Sequence, residues 1–226
     1  MAHVSSSSSF AQGFRARFHT LLAIFALALT LSACSSGPVR PKFVQISDIG
    51  SVSTPGTMTY VKATDTYTMS ASGVNLWFAK DACSLIWLKV DGDFEITGEV
   101  DLVGEGVNAH RKLGFMVRED LTEDCAYADI AVHGDGLTSL QYRLARAEDT
   151  FETGAVQGKA PDTICLTRRG NTISARSGKG GLPAEDEASI EINLPETCYL
   201  GLFLCSHEED VVETGHFRNV RLQTAR

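Results

Sequence analysis

From Phe94 to Leu102 the chain alternates. Phe94, Ile96, Val100 and Leu102 fall on one face, and Glu95, Thr97, Glu99 and Asp101 on the other. Such a period of two marks a β-strand with one buried and one wet face, because successive side chains of an extended backbone point in opposite directions. Further strand candidates lie at 112–118, 126–133, 137–145, 163–169, 172–177, 189–194, 199–205 and 216–223. Turn residues separate them: Asp91-Gly92-Asp93, Gly134-Asp135-Gly136 and Gly170-Asn171. No segment carries a convincing amphipathic helix, and no internal repeat suggests a propeller or solenoid. Many short antiparallel strands at this spacing predict an all-β sandwich or jelly roll.

The first 33 residues have a different character and are set aside from the fold. Arg15 and Arg17 precede the apolar run 21–29, and no acidic residue occurs before Asp48. About eleven apolar residues are too few for a membrane-spanning helix, which needs roughly twenty. Leu31-Ser32-Ala33-Cys34 resembles the lipobox of bacterial lipoproteins, and Ser35-Ser36-Gly37-Pro38 follows as a linker. That resemblance implies export, cleavage before Cys34 and diacylglycerol on its sulfur, with additional acylation giving stable anchoring. Residues 34–57 then form the lipidated cysteine and tether. Its flexible part of about ten residues reaches some 35 Å at about 3.5 Å per residue. Ser35 after the cysteine fits outer-membrane sorting, facing the periplasm or exterior.

Losing Arg15 and Arg17 takes the net charge from −8 to −10. With no Lys/Arg run or stripe, nucleic-acid binding lacks its electrostatic footprint. The acidic body is also repelled by anionic headgroups, so the lipid holds it at the membrane. Apart from Cys34 the cysteines are Cys83, Cys125, Cys165, Cys198 and Cys205, an odd number, so at least one is unpaired within the chain. Cys198 and Cys205 bracket an apparent straight strand of about 23 Å, too long to be bridged by a disulfide. Without a CxxC or Cys/His cluster for zinc, most read as buried small hydrophobes, although export permits one or two bridges.

Several motifs then carry a family resemblance. Asn75-Leu76-Trp77, Asp81, Gly92-Asp93-Phe94 and 114–118 (Gly-Phe-Met-Val-Arg) recur in order in concanavalin A-like bacterial domains. The stretch 127–143, with Cys205-Ser206-His207 and Phe217-Arg218-Asn219-Val220, resembles the DUF1349-type domain found fused to Tol-type β-propellers. It is also similar to uncharacterised domains described as "regulation of enolase". The resemblance covers residues 58–224 and implies a concanavalin A-like jelly roll of two antiparallel sheets. This chain has no propeller. The late turn that carries Asp and Trp in many relatives reads Ser177-Gly178-Lys179-Gly180-Gly181-Leu182 here, without either. The superfamily includes lectins, glycoside hydrolases and adhesive modules, so fold alone does not set function.

Two constellations could carry chemistry. Glu99, Asp101 and Glu105 are similar to the E-x-D-x-E strand of laminarinase-type glycoside hydrolases. Retaining hydrolysis requires two carboxylates about 5–5.5 Å apart on one face, and Glu105 lies too far along the chain for that motif. The other is a polar face shared by strands around the Gly134-Asp135-Gly136 turn: Arg118, Tyr127, Asp129, His133, Gln141 and Arg143. Donors, carboxylate acceptors and an aromatic platform, Trp77 or Tyr127, suit a sugar. Alternatively Arg118 pairs with Asp129 or Arg143 bridges a neighbouring strand, and the aromatics are half-buried core.

Asp91, Asp93 and Asp135 could offer oxygens to calcium, but a cage needs six to eight, and the glycines beside them are explained by tight turns. Ser206 and His207 are adjacent and face opposite ways on a strand, so a structural role is expected. The expected function is a membrane-anchored, non-catalytic binding module of the cell envelope, without cofactor, taking a glycan or an envelope protein. The alternative is a glycoside hydrolase-like enzyme acting through Glu99, Asp101 and Glu105.

Overall fold

The computed structural model describes residues 37–156, 160–183 and 187–225. The leader and Cys34 lie outside the described residues. The elements run β1 (Gln45–Ile49), β2 (Thr57–Val61), β3 (Thr66–Gly73), β4 (Asn75–Trp77), β5 (Lys80–Asp91), β6 (Phe94–Leu102), β7 (Lys112–Arg118) and β8 (Tyr127–His133). They continue as β9 (Thr138–Arg143), β10 (Phe151–Val156), β11 (Thr163–Arg169), β12 (Thr172–Gly178), β13 (Ala188–Glu191), β14 (Thr197–Cys205) and β15 (Glu208–Thr224).

These strands form two antiparallel sheets. One has the order β1-β5-β14-β7-β8-β9-β10, with β4 hydrogen-bonded to β5; the other is β13-β12-β11-β6-β15-β3-β2. The chain is therefore a concanavalin A-like jelly-roll sandwich. Between the sheets, Phe94, Ile96 and Val100 of β6 meet Phe115 and Val117 of β7, Leu200 and Leu202 of β14, and Phe217 of β15. Outside β6, Glu95, Thr97, Glu99 and Asp101 stay at least partly open to water, as the alternation requires.

The first sheet is different because its central strands are buried on both sides, while its edge strands β1 and β10 are largely open. Every residue of β7 and β8 is buried. A second apolar cluster of Ile49, Leu76, Cys83, Leu85, Met116, Tyr127, Ala131, Phe203 and Cys205 lies apart from the inter-sheet core. Burial on both faces removes alternation from the sequence; β5 was missed, whereas the equally buried β7 and β8 were among the expected strands. Gly114 belongs to this tight packing: a Cβ there would meet the Ile130 carbonyl oxygen at 1.7 Å.

The sandwich begins earlier than residue 58, which corrects the expected tether of 34–57. Val39 and Leu222 exchange backbone hydrogen bonds of 2.8 Å, and β1 pairs along β5 from Gln45↔Trp87 to Ile49↔Cys83. Phe43 is buried edge-on against Tyr67, whose hydroxyl donates to the Pro41 carbonyl at 3.0 Å. These contacts join residues far apart in sequence, so no local pattern shows them. All five described cysteines are free and buried, and no bridge joins Cys198 to Cys205.

Candidate functional site

Strand register puts the predicted polar residues on one outer face. Arg118, Tyr127 and Arg143 stand in a row across β7, β8 and β9; Met116, Asp129 and Gln141 form the next. Lys112 and His133 are paired at the far end. The structure then divides this face in two. Loops cover one end, and the other opens into a cleft.

At the covered end, Asp81 joins two arginines. Its Oδ1 accepts from Arg143 Nη2 at 2.7 Å and its Oδ2 from Arg143 Nη1 at 3.1 Å; Arg118 Nη2 also reaches Oδ2 at 3.3 Å. The remaining guanidinium donors hold the loops that cover them. Arg143 donates to the carbonyls of Phe78, Cys125 and Glu148 at 2.8, 3.1 and 2.9 Å, and Arg118 to those of Asp120 and Thr122 at 2.7 and 2.6 Å. Between them lies Tyr127, with the guanidinium carbons of Arg143 and Arg118 5.1 and 5.9 Å from its ring centre, in cation–π range. Its hydroxyl donates to the Leu76 carbonyl at 3.3 Å.

Arg118, Tyr127 and Arg143 are thus fully buried, as is Asp129, and none presents a surface to a ligand. This corrects the sequence expectation for these four. Alternation assigned their face correctly, while the cover is made by the loops that follow β7 and β9 together with the distant segment around Phe78 and Asp81. Neither expected partner of the arginines is the real one; both converge on Asp81. Neither carboxyl oxygen of Asp129 makes a hydrogen bond among the described residues, and burial pushes its carboxyl well above the usual carboxylate range.

Three of the predicted residues, Trp77, His133 and Gln141, line the open cleft of about 260 Å³. Asn75, His110, Lys112, Glu152 and His207 complete its polar lining, with Leu137 as an apolar wall. A directed hydrogen-bond chain crosses its floor. Lys112 Nζ donates to Gln141 Oε1 at 3.4 Å, and the Gln141 amide nitrogen donates to His133 Nε2 at 3.5 Å. His133 Nδ1 then donates to the Leu137 carbonyl at 3.0 Å. This order requires neutral His133 with its proton on Nδ1. Burial first, then the Lys112 charge, push its pKa down to about 3.

Around that floor, Lys112 Nζ also donates to Asn75 Oδ1 at 3.3 Å and lies 5.9 Å from the centre of the half-buried Trp77 ring. The His110 ring centre is 6.1 Å from that of His133 and 5.5 Å from that of His207. Glu152 accepts from Ser139 Oγ at 2.9 Å. Two bulky residues adopt left-handed backbone at this site: Phe78 (φ 54°), 67% exposed beside Trp77, and His207 (φ 62°) in the wall. Such conformations cost about 1–3 kcal/mol and cluster at functional sites.

The sequence reading missed Asn75, His110, Lys112, Glu152 and His207. Lys112 shares the parity of Arg118 along one strand, so the same alternation could have found it. His110 precedes β7, and His207, read as structural, follows β14; neither position carries a periodic signal.

Glu99, Asp101 and Glu105 do not enter the cleft. Glu99 accepts from Asn219 at 2.9 Å; Asp101 is 3.1 Å from both His216 and Arg218 on the outer face of the other sheet; Glu105 is exposed in the loop beyond β6. Asp91 accepts from Thr197, Asp93 from the Gly170 amide and Asp135 from the Leu137 amide. Among the described residues no group of three or more His, Cys, Asp or Glu is placed to hold a metal ion.

The fold and cleft define a jelly-roll domain with an open site on one outer sheet face. No family model matches the chain, and no curated protein matches it. Among solved structures it is similar to a functionally unknown protein from Saccharomyces cerevisiae, at TM-score 0.58 and 15% identity, covering 80% of this chain and 97% of that one. It is also similar to the GH43 protein BlXynB from Bacillus licheniformis (TM-score 0.55, 8% identity), covering 71% of this chain and 33% of that one. The carbohydrate binding module CBM66 from Bacillus subtilis aligns at TM-score 0.49 and 13% identity, over 80% of this chain and 97% of that one.

Proposed function

We propose that the chain is a lipid-anchored, non-catalytic binding module of the bacterial cell envelope whose cleft takes a glycan. The observation that carries this reading is the placement of the Trp77 ring beside the amides of Asn75 and Gln141 and the imidazoles of His110 and His207. An indole face packs against the C–H face of a sugar, while amides and imidazoles meet its hydroxyls. The volume suits about one sugar ring, at the small end of ligand pockets. The hydrogen-bond chain through Gln141 fixes its amide before a ligand arrives, which lowers the entropic cost of binding.

A non-catalytic role is supported by the lining, which contains one carboxylate, Glu152. Two-carboxylate glycoside hydrolysis needs a pair. No cofactor enters the reading.

The test is a broad glycan array probed with the detergent-solubilised full chain. Hits should disappear in Trp77→Ala and Gln141→Ala proteins that melt like the parent. A blank array, together with crosslinking of Phe78 to an envelope protein in intact cells, would replace the glycan with a protein partner. Reducing-sugar release that stops in Glu99→Gln would instead establish the hydrolase.

A further inference from the structure

Among the described residues no carboxylate forms an ion pair with the buried Lys112. The residue is 2% exposed, and its ammonium has two polar partners, the side-chain oxygens of Asn75 and Gln141 at 3.3 and 3.4 Å. Both oxygens are neutral and both contacts are long. Among the other buried cations, Arg118 and Arg143 meet Asp81 and Arg111 meets Glu213 at 2.6 Å, while Arg168 is held by the carbonyls of Gly170, Pro195 and Leu194 at 2.8–2.9 Å. A buried charge is costly when nothing opposite in sign faces it. Of these five, Lys112 alone has only long contacts and lines the Trp77 cleft.

The surrounding groups leave that charge uncompensated. Asp129, deeper on the same face, makes no ion pair with Lys112 among the described residues, and burial raises its carboxyl well above the usual range against the pull of the Lys112 charge. Glu152 is engaged by Ser139, and Glu208 accepts from Asn108 Nδ2 at 2.7 Å. His133 and His207 are pushed towards neutrality, by burial first and Lys112 second. His110 stands beside both. The cleft therefore offers a fixed positive charge at its floor, N–H groups in its wall and an indole at its side.

We infer that Lys112 is the countercharge for a carboxylate on the bound sugar, so that the cleft selects a uronate unit over its neutral counterpart. This inference rests on the glycan-binding reading above. A pyranose stacked on Trp77 brings an exocyclic substituent towards the ammonium 5.9 Å from the ring centre. A carboxylate there forms charge-assisted hydrogen bonds with Lys112, whereas a hydroxymethyl group leaves the cation unpaired. Discrimination thus comes from the unpaired charge as much as from the new bond.

The experiment titrates the detergent-solubilised full chain with galacturonate, glucuronate and mannuronate oligosaccharides, each beside its carboxyl-reduced form. A sulfated oligogalactan is added as a second anion. Calorimetry and tryptophan fluorescence read binding at low and high salt. At least one uronate should bind about tenfold or more tighter than its reduced form, with an affinity that falls as salt rises. Lys112→Met keeps the apolar stem and should bring the ratio of acidic to reduced-form affinity to about one, although both affinities fall as Gln141 loses its Lys112 hydrogen bond. The parent protein's preference and salt dependence need no variant, so a misfolded Lys112→Met leaves the test intact.

Equal binding of acidic and neutral forms overturns the countercharge and leaves the glycan reading standing. Preference for the sulfated sugar overturns the carboxylate assignment. No binding to either set, on a protein that melts cooperatively, removes the glycan reading as well.

Discussion

Arg143 grips Asp81 side-on, through contacts of 2.7 and 3.1 Å between two fully buried side chains. The same guanidinium holds the Phe78 carbonyl at 2.8 Å. One buried ion pair thereby fixes the backbone that presents Trp77. Removing the carboxylate leaves Arg143 and Arg118 as buried charges with nothing to oppose them. Asp81→Asn should cost about 3–5 kcal/mol, read as a lower urea midpoint at unchanged slope. A loss below about 1 kcal/mol would mean that water reaches the cluster. Tryptophan emission should shift in the same variant while it is still folded.

His133 and Asp129 couple stability to pH in opposite directions. The folded-state pKa of His133 is about 3, against an ordinary 6.5, so its contribution is complete above 6.5 and is lost as pH falls towards 3. Asp129 is raised well above 3.8, so its contribution is complete below that value and is lost as pH rises. Between about pH 4 and 6.5 His133 supplies a slope of about 1.4 kcal/mol per unit, and Asp129 supplies one of opposite sign as pH rises above 3.8. Against the parent, His133→Gln should lose stability with rising pH in that window, and Asp129→Asn should gain it. His207 shares the direction of His133 but is common to all three proteins. Parallel denaturation curves at pH 4.5, 5.5 and 6.5 measure the difference; identical pH slopes in all three proteins would refute it.

The described thiols should be inert. Burial raises all five, with Cys205 at about 11 and Cys83 well above its ordinary range. Since the thiolate is the reactive form, a disulfide reagent at pH 8 should find none of them in the folded protein, and all five in guanidinium. Immediate modification of any one would show that its strand opens readily.

The proposed anchor can be tested on Cys34. The chain is already hydrogen-bonded into the sandwich at Val39. Five residue steps at about 3.5 Å span about 17 Å, half the reach expected from the sequence. Wild-type protein should sediment with membranes and gain the mass of lipid at Cys34, whereas Cys34→Ser should stay in the soluble fraction. If that variant still pellets, another part of the chain holds the membrane.

Legible strands did not divide by burial alone: β3, with one half-open face, was missed, while the fully buried β7 and β8 were found. β6 showed its alternation directly; the turn at Gly134-Asp135-Gly136 joins the paired strands β8 and β9, and that at Asp91-Gly92-Asp93 carries the chain from β5 to β6 in the other sheet. β5, buried along most of its length, was not seen. For the site, parity placed Arg118, Tyr127, Asp129, His133, Gln141 and Arg143 on a common face. It could not reveal that residues 75–81, 119–125 and 144–150 close over half of it: the last two follow Arg118 and Arg143 directly, but the cover also needs the Phe78 carbonyl and the Asp81 carboxylate, 65 and 62 positions from Arg143.

By itself, the sequence determined an acidic, all-β chain of many antiparallel strands and the face on which polar side chains collect. These follow from a backbone period of two and from turn chemistry, both local. Tertiary structure decided which polar groups are buried and which are open. Asp81 lies 62 positions before Arg143 in the chain, yet folding brings it into the same buried cluster and so neutralises the arginines. Lys112, at the uncovered end of the same sheet face, receives no carboxylate among the described residues. Ion pairing and burial depend on three-dimensional proximity, so only the folded chain separates a structural cation from one left for a ligand.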